Sequence, residues 1–314
     1  MVMKTDQLEN YFLLHNKNWV SGNDSVNLLF WGYREGNHFT PKLITINVAV
    51  GYNPTKVDCF ELHNYMLALQ QVDTSFNKLV EWAKNSFSRL PIYILGYPKL
   101  YEFQNSEWSS SEQVFPLEEV TFYFESLTSE PSGTMQGKHL KARIHELLGV
   151  TEDVSGTSKA RNKSIHDYFM YWSRTLLSPN IVKFDCDGLF FVDGKTALVE
   201  IKRSDRPQIP RWCPYVDDAP NYQIQALFAK AIGAKAFLLH HEGLPKESTK
   251  IYYDGTEKVD FYEYTSINAE AYTQAKNSGL KYAEYLKCVK TFKETTVAEL
   301  ESIINDSFQG GDNG

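Results

Sequence analysis

Cysteine is scarce in this chain. The 314 residues hold four, Cys59, Cys186, Cys213 and Cys288, scattered singly with no CxxC pair. That spacing excludes a zinc knuckle and speaks against a disulfide framework, so reduced thiols are expected. No apolar run reaches the roughly 18 residues that span a bilayer, and residues 1–10 are polar and lack the apolar centre of a secretion signal. A cytoplasmic location is the expectation. No internal repeat and no glycine-rich phosphate loop is found. Positive charge is also short: 32 Lys and Arg against 39 Asp and Glu leave a net charge of −7, at first sight unsuited to nucleic acid, whose phosphates demand cations.

What is present is ordinary globular composition, 42% hydrophobic and 14% aromatic, enough for a sizeable core in one large domain or two smaller ones. The charge is unevenly spread. Residues 1–137 carry 9 basic and 15 acidic side chains, residues 138–211 carry 13 and 9, and residues 212–314 carry 10 and 15. Only the middle stretch is basic. A solvated surface produces some unevenness by chance, but the coincidence with the motif described below favours a polyanionic partner.

Apolar periodicity predicts a short helix at 6–15, strands at 26–33 and 43–50, helices at 60–71 and 76–87, and strands at 91–97 and 120–125. Residues 1–130 therefore read as a mixed α/β N-terminal region of unassigned role. His38, Asp58, Glu61 and His63 within it match no metal-ligand spacing and are read as solvated or structural. The Pro, Gly and Ser cluster in 126–137 reads as a linker, which puts the second domain at 131–314. Helices are predicted at 137–148, stopped by Gly149, and at 158–177, where Lys159, Arg161 and Lys163 lie near the start and His166 and Asp167 flank the apolar stripe. Beyond a Pro-rich loop ending near Pro214, a helix is predicted at 220–232 and strands at 236–240, 251–253 and 259–264, followed by mostly helical sequence over 268–307.

The stretch from Asp187 to Lys202 carries the chemistry. Its flanks, 182–192 and 196–202, are rich in β-branched and aromatic residues, and Asp193-Gly194 between them is a strong hairpin signal. Side chains alternate across a strand, so Glu200 and Lys202 share one face while Val199 and Ile201 point to the other. Asp187 shares a face with Leu189 and Phe191, and the hairpin can bring its carboxylate beside Glu200, where like charges repel unless a cation sits between them. A divalent metal is the guest this arrangement suggests. Hydrolysis of a phosphodiester needs an activated water and relief of charge on the phosphate, both of which a hard cation on carboxylates supplies. Asp187 and Glu200 would hold it, with the main-chain carbonyl of Ile201 as a further ligand, and Lys202 would orient the water and stabilise developing charge. Asp185, on the same strand face, is the alternative acid. The plainer reading makes Asp187 a strand cap and Glu200 with Lys202 a surface ion pair of little energetic consequence.

The sequences Asp187-Gly188-Leu189, Glu200-Ile201-Lys202 and Tyr222-Gln223-Ile224-Gln225, in that order, resemble the PD-(D/E)XK nuclease superfamily, and within it the RecB-like and lambda-exonuclease (YqaJ-like) branch. The resemblance covers residues 137–245. It implies an α/β fold with a restriction-endonuclease-like core (α-β-β-β-α-β, a mixed central sheet flanked by helices), here beside an additional mixed α/β N-terminal region. It further implies a phosphodiesterase dependent on Mg2+, with Mn2+ as substitute, whose catalytic trio is Asp187, Glu200 and Lys202. Gln225, on the helix after the trio, would help shape the active site. His166 falls where related nucleases place a helix-borne metal ligand, with Asp167 and Glu146 as alternatives. Cys186 stands where the superfamily's name has proline, Gln225 lacks the tyrosine of the RecB-type motif, and no cysteine set matches an iron–sulfur cluster. The expected activity is that of a DNA exonuclease or end-processing enzyme in recombination, repair or phage replication, with DNA and a recombination or replication protein as partners. A restriction-type or defence endonuclease, with the N-terminal region as specificity module, and a catalytically silent nucleic-acid-binding module are the alternatives.

Overall fold

The long alternating runs of the first third become strands, and the hairpin signal at Asp193-Gly194 becomes a hairpin, in two separate mixed sheets. The computed structural model describes residues 12, 16–22, 26–36, 38–50, 59–85, 90–98, 117–127, 133–150, 168–204, 218–242, 256, 258–264, 290–291 and 295–309. In chain order the elements begin with β1 (Trp19–Val20), β2 (Val26–Glu35), β3 (His38–Val50), α1 (Cys59–Val72) and α2 (Thr74–Asn85). Next come β4 (Ile92–Pro98), β5 (Thr121–Ser126), β6 (Gly133–Gln136), α3 (Gly137–Leu148), α4 (Tyr168–Leu176) and β7 (Ile181–Asp185). The remainder is β8 (Gly188–Val192), β9 (Lys195–Ser204), α5 (Ala219–Ala231), β10 (Lys235–Glu242), β11 (Lys258–Tyr264), β12 (Lys290–Thr291), β13 (Thr295–Thr296) and α6 (Leu300–Gln309). Two compact units result, one made of residues 22–84 and 90–185, the other of 1–21, 85–89 and 186–314.

The unit spanning 22–185 is built on six strands in the order β6-β5-β4-β3-β2-β7. Among the described strands only β3 and β4 run parallel, and the chain between them carries α1 and α2, as a parallel crossover requires. One sheet face is apolar at Trp31, Leu43, Leu95, Phe122 and Phe124, and it is covered by Leu140, Ile144 and Leu148 of α3 and Phe169 and Trp172 of α4. Within that core Trp31 Nε1 donates to Thr45 Oγ1 at 2.7 Å, and Thr45 donates on to Asn47 Oδ1 at 2.5 Å, so the buried polar groups are linked in a row. Gly149, in the left-handed region at φ 72°, stops α3 where the sequence places the stop.

This unit corrects two expectations. The linker expected over 126–137 is bracketed by β5 and β6, which pair with Thr121 opposite Gln136 and Phe124 opposite Gly133, so the chain on either side of it belongs to one sheet, and residues 128–132 lie outside the described residues. The compact units are accordingly not divided near residue 130: α3, α4 and β7 pack with the N-terminal strands because their apolar faces complete that core. The strand expected over 182–192 is interrupted at Cys186 and Asp187, with β7 pairing with β2 and β8 pairing with β9.

The other unit is a seven-stranded sheet in the order β1-β8-β9-β10-β11-β12, with β13 also on β11. Asp193 and Gly194 both take positive φ, 50° and 75°, the geometry that lets a two-residue loop follow the strand twist between β8 and β9. After β9 the chain crosses through α5 and returns parallel as β10, Leu238 opposite Glu200 and His240 opposite Lys202. Trp19, Phe190, Val199, Phe237, Leu239 and Phe261 form the core on one face, closed by Leu300 and Ile304 of α6. The phenyl ring of Phe12 and the indole of Trp19 lie 4.7 Å apart, and Trp19 meets Phe190 edge-on at 4.9 Å. Within the region expected to be mostly helical, Lys290–Thr291 and Thr295–Thr296 instead pair with β11. The helix expected at 6–15, except for Phe12, and the strand expected at 251–253 lie outside the described residues.

Candidate active site

The β8–β9 hairpin brings the three residues of the motif together. β8 begins at Gly188, opposite Val199, and Ile201 is paired with Leu239 on the other edge of β9. On the β8 edge the N–H of Ile201 is met by the carboxylate of Asp187, in the bend before β8, at 2.6 Å. The contact is made by the amide of Ile201 and is separate from its carbonyl, the group expected as a metal ligand. Glu200 and Lys202, two apart on β9, emerge on the α5 side of the sheet, and Lys202 Nζ lies 2.8 Å from Glu200 Oε1. Their side chains are 17% and 24% exposed, so the pair is largely withdrawn from solvent and is not an ordinary surface ion pair.

Helix α5 adds Asp218, which the motif does not include, and Tyr222, which belongs to the Tyr222-Gln223-Ile224-Gln225 motif and could equally have been a core aromatic. Asp218 stands at its N-cap position but makes no side-chain cap hydrogen bond. Its carboxylate turns to the site, with Oδ2 3.8 Å from Lys202 Nζ and accepting the Tyr222 hydroxyl at 3.2 Å. The Tyr222 ring is buried and its centroid lies 5.9 Å from Lys202 Nζ. Asp218 and Tyr222 are four apart and so share one helix face. The signal that could have found Asp218 is the run Asp218-Ala219-Pro220, an acidic residue and then proline at a helix start.

The electrostatics follow from this crowding. Burial alone would lower the pKa of Lys202, but the charge and hydrogen bond of Glu200, then the charges of Asp218 and Asp187, outweigh it and hold the ammonium above its ordinary value. Cys186 is the opposite case. Burial, then the charges of Asp187 and Glu200, push its thiol well up, while Sγ lies 3.0 Å from the Gly188 carbonyl oxygen. The acid ahead of the hairpin is thus flanked by an inert neutral thiol.

The other expected site residues are placed differently. Gln225 is wholly buried, its Nε2 3.5 Å from the Phe237 carbonyl of β10 and its Oε1 without a hydrogen-bond partner among the described residues. Tyr222 is the residue of its helix that reaches Lys202. Asp185 is exposed at the end of β7, paired with Leu29 in the unit spanning 22–185. His166 and Asp167 lie outside the described residues, and Glu146 pairs with Arg143 at 2.8 Å on α3. One strand from Lys202, the buried His240 has Nδ1 3.5 Å from Asp260 Oδ2, an arrangement visible only once the β9–β10–β11 register is known.

Among the described residues no three His, Cys, Asp or Glu side chains form a group that could hold a metal ion. Asp187 and Glu200 are two hard oxygen donors whose charges act on the same lysine and the same thiol. This set fits Mg2+ or Mn2+, which take one or two carboxylates and complete their shells with water and substrate phosphate; it does not fit zinc in a closed nitrogen and sulfur cage. No family model, no curated protein and no solved structure matches the chain.

Proposed function

We propose that the chain is a metal-dependent phosphodiesterase acting on DNA, an exonuclease or end-processing enzyme of recombination, repair or phage replication, with a restriction-endonuclease-like core around β8, β9, α5 and β10. The observation that carries this reading is the meeting of Asp187, Glu200 and Lys202 at one hairpin, the lysine charged and largely withdrawn from solvent. Asp187 and Glu200 would hold Mg2+ or Mn2+, which when bound supplies charge neutralisation and an acidified water. Lys202, protonated, cannot take a proton from that water; its task is to orient it and to stabilise negative charge as it develops. The excess of basic residues over 138–211 supports a polyanionic substrate.

The test is cleavage of end-labelled linear and closed circular DNA with Mg2+ or Mn2+, repeated with chelator. Shortened linear DNA beside intact circles is the expected result. Asp187→Asn, Glu200→Gln and Lys202→Ala should each reduce cleavage by a factor on the order of a hundred or more, the scale of a lost electrostatic stabiliser. Discrete fragments from circles would instead indicate a restriction-type endonuclease, and tight DNA retention without cleavage under either metal a silent binding module. Full activity in all three variants would end the catalytic reading.

A further inference from the structure

Resting on that reading, we propose that Asp218 is a positioning residue, the carboxylate that receives the Lys202 ammonium when Glu200 is engaged by a metal. In the structure Lys202 is committed to Glu200 at 2.8 Å. An ammonium paired with Glu200 lowers the negative charge that its carboxylate would offer a cation, so the two would be bound less tightly together than either alone. Asp218 Oδ2 lies 3.8 Å from the same nitrogen, beyond a hydrogen bond but within a small side-chain rotation.

Two further observations mark Asp218 as prepared for this. At the start of α5 its side chain makes no cap bond, because Asp218 is itself in the αR region and Pro220 offers no N–H, and this leaves the carboxylate for other partners. The Tyr222 hydroxyl instead donates to Oδ2 at 3.2 Å and fixes the carboxylate facing β9. The Tyr222 ring, 5.9 Å from Lys202 Nζ, gives the moving ammonium an aromatic face to pass over. The exchange makes and breaks ion pairs only, with no proton or electron transferred. It leaves Glu200 available to the cation while the lysine stays within the site.

Two measurements on the full-length protein test this. The first is calorimetric titration with Mn2+ alone. Asp218→Asn should weaken binding about tenfold, the low end for residues that orient metal ligands, and Asp218→Glu should restore most of it. In a Lys202→Met background, where no ammonium needs relocating, Asp218→Asn should change the affinity less than twofold. An equal loss in both backgrounds, or none in the wild type, overturns the proposal. The second needs no metal: a crystal structure of Glu200→Gln, whose neutral amide releases the lysine, should show Lys202 Nζ hydrogen-bonded to Asp218. An ammonium turned to solvent there overturns the exchange of partners. The shift in Glu200→Gln together with a wild type that binds no Mn2+ would sink the metal reading and its coupling to Asp218, whereas Mn2+ binding without the shift would sink the exchange and leave the metal reading standing.

Discussion

At Lys202 burial and charge act in opposite directions. Its folded pKa is raised because Glu200, Asp218 and Asp187 outweigh the cost of burial. A raised pKa on a basic group contributes stability that is fully present below the unfolded value, about 10.4 for lysine, and lost as pH rises through the higher folded value. The stability difference between wild type and Lys202→Met should therefore be flat from pH 7 to about pH 10 and shrink above it, as read from urea midpoints at each pH. A difference that grows with alkalinity would mean that the ammonium is not held by these carboxylates. Cys186 gives a second residue-scale outcome. Buried and pushed toward its neutral form beside Asp187, it should resist iodoacetamide at pH 8 in the folded protein and react once unfolded, as followed by mass spectrometry of its peptide.

At the scale of elements, the β8–β9 hairpin is what aligns the acids with the lysine, and its geometry depends on two glycines. Gly194 at φ 75° is in the region L side chains avoid, so Gly194→Ala should cost on the order of 1 kcal/mol. Gly188 is more constrained, because a Cβ there would enter the Trp19 indole that packs across it. Gly188→Ala should destabilise by about 1–3 kcal/mol or more, as overpacking does, and it acts just beyond Asp187. Chemical denaturation orders the two, and equal costs would contradict the close approach of Trp19. This hairpin was legible in the sequence because its signals are local: strand-forming flanks, a two-residue turn and alternation that put Glu200 and Lys202 on one face. The α3 stop at Gly149 was legible for the same reason. The partner of each strand was not. That β1 flanks β8, and that β7 leaves for β2, depends on residues far apart in sequence, to which periodicity is blind. Asp218 escaped notice because the helix was expected to begin at Pro220, which left Asp218 in the loop before it, and His240 and Asp260 because only the cross-strand register joins them.

At the scale of the whole molecule, the chain passes between its two units four times, after residues 21, 84, 89 and 185, so neither unit is a continuous stretch of sequence. The consequence is sharpest for the unit that holds the candidate site. Its sheet begins with Trp19 and Val20, opposite Phe190 and Leu189, and Trp19 is wholly buried. A chain shortened to residues 131–314 would lose that strand and the indole, leaving a void of the kind that costs about 3–5 kcal/mol for a buried tryptophan. It would also carry α3 and α4 with their apolar faces uncovered, since the sheet they pack on is β2 to β5. Such a fragment should show no cooperative thermal transition by circular dichroism. The complementary excision follows from the antiparallel register, which brings the chain after Val20 alongside the chain before Gly188. Joining residue 21 to residue 186 through a linker of about four glycine and serine residues, short enough to close at little entropic cost, should give a chain that melts cooperatively and keeps the Lys202–Glu200 pair. Cooperative melting of 131–314 near the temperature of the intact protein would refute this division of the chain.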